Sequence, residues 1–154
     1  MFPVFSITII YKNSRSEQSP MAIFKWEEKY SVKVQEMDDQ HKRLFELINQ
    51  LHDAMQSGKG NALLTEIVKG LKDYSITHFS AEEKYMEKIK YSGLAEQKEQ
   101  HRTFIKKVEE YEQQVSLGKL SLSIEVLTFL RDWLVNHIQR VDKKYSEDNQ
   151  TNAV

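Results

Sequence analysis

Residues 38–58 read DDQHKRLFELINQLHDAMQSG, and their spacing decides the fold. His41, Leu44, Phe45, Ile48, Leu51 and Met55 recur at the i, i+3, i+4, i+7 interval of an amphipathic helix. Asp38 and Asp39 offer a cap and favourable charge at its start, and Gly58 ends the run. A helix from about Asp39 to Gln56 is predicted. One residue on its apolar stripe does not belong there by polarity: His41.

The same pattern recurs downstream. A second helix carries Leu64, Ile67, Leu71, Tyr74, His78, Glu82 and Tyr85 and closes at the YSG of residues 91–93. A third carries His101, Phe104, Ile105, Val108 and Val115 and stops at Gly118. A fourth carries Ile124, Leu127, Leu130, Leu134, His137, Ile138 and Val141 before the polar SEDNQTNAV of residues 146–154. Short links between long amphipathic helices predict an all-α, up-down-up-down antiparallel four-helix bundle. Ahead of it, Tyr30, Val32 and Val34 alternate like an extended arm. Residues 1–20 read as an N-terminal extension outside the domain, 21–146 as the bundle, and 147–154 as a polar tail.

Composition agrees and excludes several classes. The chain has 154 residues, enough for one domain with a real core, and only two Pro and five Gly. A net charge of −1 gives no electrostatic reason for a nucleic-acid or anionic-membrane partner. With no Cys, thiolate metal sites, Fe–S clusters and disulfides are excluded. The apolar opening MFPVFSITIIYKNS lacks a basic residue ahead of its apolar run and is too short to span a bilayer. A soluble, cytoplasmic protein is expected.

The polar residues on the wrong face carry the functional reading. Each helix places a histidine on its apolar stripe: His41, His78, His101 and His137. A lone inward histidine is more often a hydrogen-bonded core residue than a ligand. Four of them, with carboxylates beside them, are costly to bury except around positive charge. Glu82 follows His78 by four residues, about 40° around the helix. Asp142 follows His137 by five, about 140° on a regular helix, so sharing a site requires a local π-type widening or a back-reaching rotamer. Imidazole and carboxylate without thiolate suit iron, manganese or zinc. His52 lies about 16 Å along the helix from His41 and reads as structural or solvent-facing.

These residues resemble the bacterial hemerythrins. The resemblance rests on FKWEEKYSVKVQEMDDQHKRLFELINQLHDAM (24–55), HFSAEEKYMEKIKYSG (78–93), HRTF (101–104) and WLVNHIQRVDKKY (133–145), in that order. It implies a non-haem, carboxylate-bridged pair of iron ions that binds O2. In the family pattern of H, HxxxE, HxxxH and HxxxxD, His41 and His78 would hold the iron left open for O2. His101 and His137 would hold the other, with Glu82 and Asp142 bridging. Trp133 and Leu134 resemble residues packed beside the O2 pocket. The departure is Gln97, which stands at the first position of HxxxH. Its amide offers a weak oxygen donor to iron or a hydrogen bond to a water. Three functions follow as expectations: O2 storage, delivery or sensing; a di-iron oxidase, peroxidase or NO-processing enzyme using a site opened at Gln97; or a single-metal or metal-free structural bundle.

Overall fold

The computed structural model describes residues 23–151, and the expected extension at residues 1–20 lies outside them. Helix α1 spans Gln35–Gln56, α2 Gly60–Lys88 and α3 Leu94–Ser116. The fourth rod begins as α4 (Ser123–Trp133), continues as a π-helical segment (Leu134–Asp142) and ends as α5 (Lys143–Thr151). Its junction residues Leu134 and Lys143 keep right-handed helical torsions, so the rod is unbroken. Short links at residues 57–59, 89–93 and 117–122 return the chain between rods, as the bundle requires. Among the described residues there is no strand, and no helix is long and apolar enough to cross a membrane.

Two helix ends follow the sequence signal. Gly58 (φ 72°) and Gly118 (φ 85°) take the left-handed conformation that glycine adopts without a Cβ penalty. At each, the glycine N–H and the next N–H bond back to the last turn: Gly58 to Met55 and Lys59 to Ala54, Gly118 to Val115 and Lys119 to Gln114. The end of α2 differs from expectation. Lys90 (φ 55°) occupies the left-handed position there, with the same two bonds, Lys90 to Glu87 and Tyr91 to Met86. Gly93 instead stands immediately before α3.

The start of α1 also differs. The helix begins four residues before Asp39, and Asp38 does not cap it. The Asp38 carboxylate accepts from the Val32 N–H (2.8 Å) and the Ser31 hydroxyl (2.6 Å), which ties the arm to the first turn. The arm itself contains a 3-10 turn at Glu28–Tyr30 and a left-handed Lys33 (φ 59°), so its extended residues, among them Ser31 and Val34, do not form a continuous run. Tyr30 anchors it, packed edge-on against Phe45.

Leu44, Ile48, Leu51, Leu64, Leu71, Phe104, Val108, Val126 and Leu130 form the main core. Each such buried side chain contributes roughly 1.5–3 kcal/mol. The stripe on α4 runs through Val126, Leu130 and Leu134 at i, i+4 spacing. Ile124, expected inside, falls about 200° from Val126 and is 72% exposed. A second apolar cluster of Val32, Met37, Met86 and Tyr145 lies near the other end. Each rod passes from one cluster to the other: Leu44 to Met37 on α1, Phe79 to Met86 on α2, Phe104 to Leu94 on α3, and Ile138 to Tyr145 on the fourth. Between the two clusters lies a polar layer.

Candidate metal centre

That layer contains His41, His78, Glu82, Gln97, His101, His137 and Asp142, all buried. The helical period accounts for His78 and Glu82 meeting, with His78 Nε2 3.6 Å from Glu82 Oε2. His137 and Asp142 meet because the rod between them is π-helical, one of the two routes their spacing allowed; His137 Nε2 lies 3.1 Å from Asp142 Oδ1. His101 Nε2 is 3.1 Å from Glu82 Oε2. His41 Nε2 lies 3.7 Å from Glu82 Oε1 and 3.4 Å from Asp142 Oδ2.

The donors fall into two overlapping groups, His41–His78–Glu82 and Glu82–His101–His137–Asp142, each with its ligand atoms within 4.8 Å of one another. Glu82 belongs to both. Asp142 directs Oδ1 to His137 and Oδ2 to His41, one oxygen towards each group. Such an arrangement matches two neighbouring cations sharing two carboxylates.

The imidazole tautomers test whether cations fit. His78 Nδ1 is 2.6 Å from Gln40 Oε1, His101 Nδ1 2.9 Å from Glu83 Oε1, and His137 Nδ1 2.7 Å from Gln100 Oε1. Each of these oxygens only accepts, so each Nδ1 carries a proton and donates. In the neutral ring the Nε2 lone pair then faces carboxylate lone pairs. His101 Nε2, His137 Nε2, both nitrogens of His41, Glu82 Oε2 and Asp142 Oδ2 are buried without a hydrogen-bond partner. Lone pairs converging in a buried layer repel one another unless positive charge lies between them. The residues fit a metal pair.

The proton equilibria reflect the same crowding. Burial and the Asp142 charge oppose ionisation of Glu82, but His78, His101 and His41 hold its carboxyl below the usual range. For Asp142 burial is again the largest opposing influence, and His137 and His41 outweigh it, leaving the carboxyl well below its usual range. Burial pushes His78 down to about 4. His41 and His101 are raised: burial works against their charge, but Asp142 beside His41 and Glu82 beside His101 prevail.

Gln97, expected beside the site, lies within the layer at 1% exposure. Its Nε2 donates to Asp142 Oδ1 at 3.1 Å, and its Oε1 is buried without a partner. Trp133 stacks on His137 at 3.9 Å between centroids, and Leu134 is fully buried. Phe79 stacks on His101 at 4.0 Å and Tyr74 on His78 at 5.3 Å, so three imidazoles each carry an aromatic plate. His52 meets Gln56 and Asp53 and takes no part in the layer.

Gln40, Glu83, Gln100 and Tyr145 were not singled out from the sequence. Three of them sit next to a donor of the layer in the chain: Gln40 before His41, Glu83 after Glu82, Gln100 before His101. Each serves the histidine of the following helix, so α1 supports α2, α2 supports α3 and α3 supports the π segment. Glu36 and Glu96, one turn earlier, accept from the Gln40 and Gln100 amide nitrogens at 3.3 Å and turn each amide oxygen inward. Tyr145 donates to Glu82 Oε1 at 2.6 Å. Adjacency to a donor was the only sequence signal for Gln40, Glu83 and Gln100, and it does not say which helix they face.

Known proteins share this arrangement of sequence and fold. The family model for the hemerythrin HHE cation-binding domain matches residues 32–147. A bacteriohemerythrin of Pseudomonas aeruginosa (strain PAO1 and others) is 38% identical over 125 residues, covering 81% of this chain and 80% of that protein. The bacteriohemerythrin of Methylococcus capsulatus is 33% identical over 126 residues, covering 81% and 95%. A crystal structure of wild-type hemerythrin superposes with a TM-score of 0.74 at 32% identity, covering 82% of this chain and 97% of that one.

Proposed function

Because this chain belongs to the hemerythrin family, we propose that it is a non-haem di-iron protein that binds O2, for storage, delivery or sensing. The observation that carries this reading is the pair of donor groups joined through Glu82 and spanned by Asp142. In it, His41 and His78 would hold one iron and His101 and His137 the other, with Glu82 and Asp142 available to both. A ferrous pair held there would supply the electrons that reversible O2 capture requires.

The chain's own part is to hold and to shield. Gln40, Glu83 and Gln100 keep the Nδ1 protons outward and so present Nε2 lone pairs inward. Tyr145 orients Glu82 by its hydrogen bond. Trp133, Phe79 and Tyr74, stacked on His137, His101 and His78, together with buried Leu134, would keep bulk water from the donors. Exclusion of water slows oxidative loss of the ferrous state. The unit responsible is residues 21–146, and the expected setting is the cytoplasm.

The test is iron content and the absorption spectrum of protein reduced without air. Two irons per chain and a visible band that appears with O2 and reverses on its removal are expected. One iron or none favours a structural bundle. Peroxide turnover without the reversible band favours the oxidase or peroxidase.

A further inference from the structure

We propose that the His101–His137 metal position carries an exchangeable coordination place beside Gln97, occupied by water at rest and open to a small neutral ligand such as nitric oxide. This rests on the di-iron reading and adds a second ligand place to it.

The donor inventory comes first. The group around this position consists of His101, His137, Glu82 and Asp142, two imidazoles and two carboxylates. Sets of two histidines with carboxylate are those that leave open positions on ferrous iron. Gln97 also lies among these donors, with its Nε2 3.1 Å from Asp142 Oδ1. An imidazole in its place would fill another position; the amide does not do so equivalently, because a neutral amide oxygen is a much weaker donor to iron.

The amide's orientation then assigns it a different task. Gln97 Nε2 is committed to Asp142 Oδ1, the same oxygen that His137 Nε2 approaches at 3.1 Å. This bond fixes the amide against the donor set. It leaves Oε1 buried with nothing to accept from. A buried oxygen in that state costs about 1–3 kcal/mol, and a bound water that donates to it removes the penalty. Oε1 accepts and cannot donate, so it favours water over an anion at this place. Nitric oxide, compact and a strong ligand of ferrous iron, can displace that water, at the cost of the hydrogen bond the water donates to Oε1. The other position, around His41 and His78, draws on the same donor types but has no amide bonded to its bridging oxygen.

The experiment is an anaerobic titration of the full-length, ferrous-loaded chain with nitric oxide, followed by iron–nitrosyl absorption after iron has been counted. The native chain should bind two nitric oxide molecules per two irons. Gln97→His fills the place with an imidazole and should bind one. Gln97→Glu, a carboxylate of the same length, is the second variant and should also bind one. A stoichiometry of one in the native chain overturns the proposal. So does a stoichiometry of two in both variants, because Gln97 would then not be what keeps the place open. Fewer than two irons in the native chain overturns the di-iron reading, and this proposal with it.

Discussion

Replacing Gln100 with leucine removes the acceptor that fixes His137 without touching any residue of the donor layer. In the native chain Gln100 Oε1 receives the His137 Nδ1 proton at 2.7 Å, and Glu96 holds the Gln100 amide nitrogen at 3.3 Å. The leucine leaves a buried N–H without a partner, a penalty of about 1–3 kcal/mol. The ring relieves that penalty by moving its proton to Nε2, the atom aimed at Asp142, and so becomes a poorer ligand. Loss of such outer partners typically lowers metal affinity about 10- to 100-fold, equivalent to roughly 1.4–2.7 kcal/mol. Anaerobic competition for Fe(II) against a chromophoric chelator measures this, with urea unfolding of the metal-free protein checking that the bundle is intact. Gln100→Glu keeps an acceptor and should lie closer to native than Gln100→Leu. A loss below twofold for the leucine variant, or no recovery with glutamate, refutes the reasoning.

Two further outcomes follow from the same layer. Tyr145→Phe removes the buried hydrogen bond to the Glu82 carboxylate and should destabilise the metal-free protein by about 1.5–3 kcal/mol in urea unfolding; a change under about 0.5 kcal/mol would mean that the bond contributes nothing. Burial holds His78 at about 4, below its ordinary 6.5, so the unfolded chain takes up this proton at higher pH than the folded one. The associated stability, about 3 kcal/mol, is complete above pH 6.5 and is lost as the pH falls towards 4. Urea midpoints of the metal-free protein at pH 7.5 and 4.5 test it, and an unchanged pH slope in His78→Gln would show that another group is responsible.

The sequence by itself determined what is periodic within one helix. Leu44, Ile48 and Leu51 lie on one stripe because 3.6 residues complete a turn, and the same geometry brings Glu82 under His78. The five-residue step from His137 to Asp142, about 140° on a regular helix, left a π segment or a back-reaching rotamer as the ways to share a site, and the π segment is what forms. Gly58 and Gly118 marked their helix ends through backbone sterics, a local property. Where the reading departed from the structure, a local alternative or a neighbouring rod decided. Lys90 accepts a left-handed conformation that glycine would have advertised, and Asp38 spends its carboxylate on Ser31 and Val32 rather than on the helix start.

Relations between helices were settled only by the tertiary structure. The pairing of Gln40 with His78, Glu83 with His101 and Gln100 with His137 depends on how far each rod is rotated and slid against the next. So does the bond from Gln97 to Asp142, two residues 45 apart in sequence. Hydrogen bonds weaken steeply over a few tenths of an ångström and tens of degrees, a precision that hydrophobic periodicity does not encode. Periodicity brings the right residues into one layer; packing of the rods against one another decides which atom each of them meets.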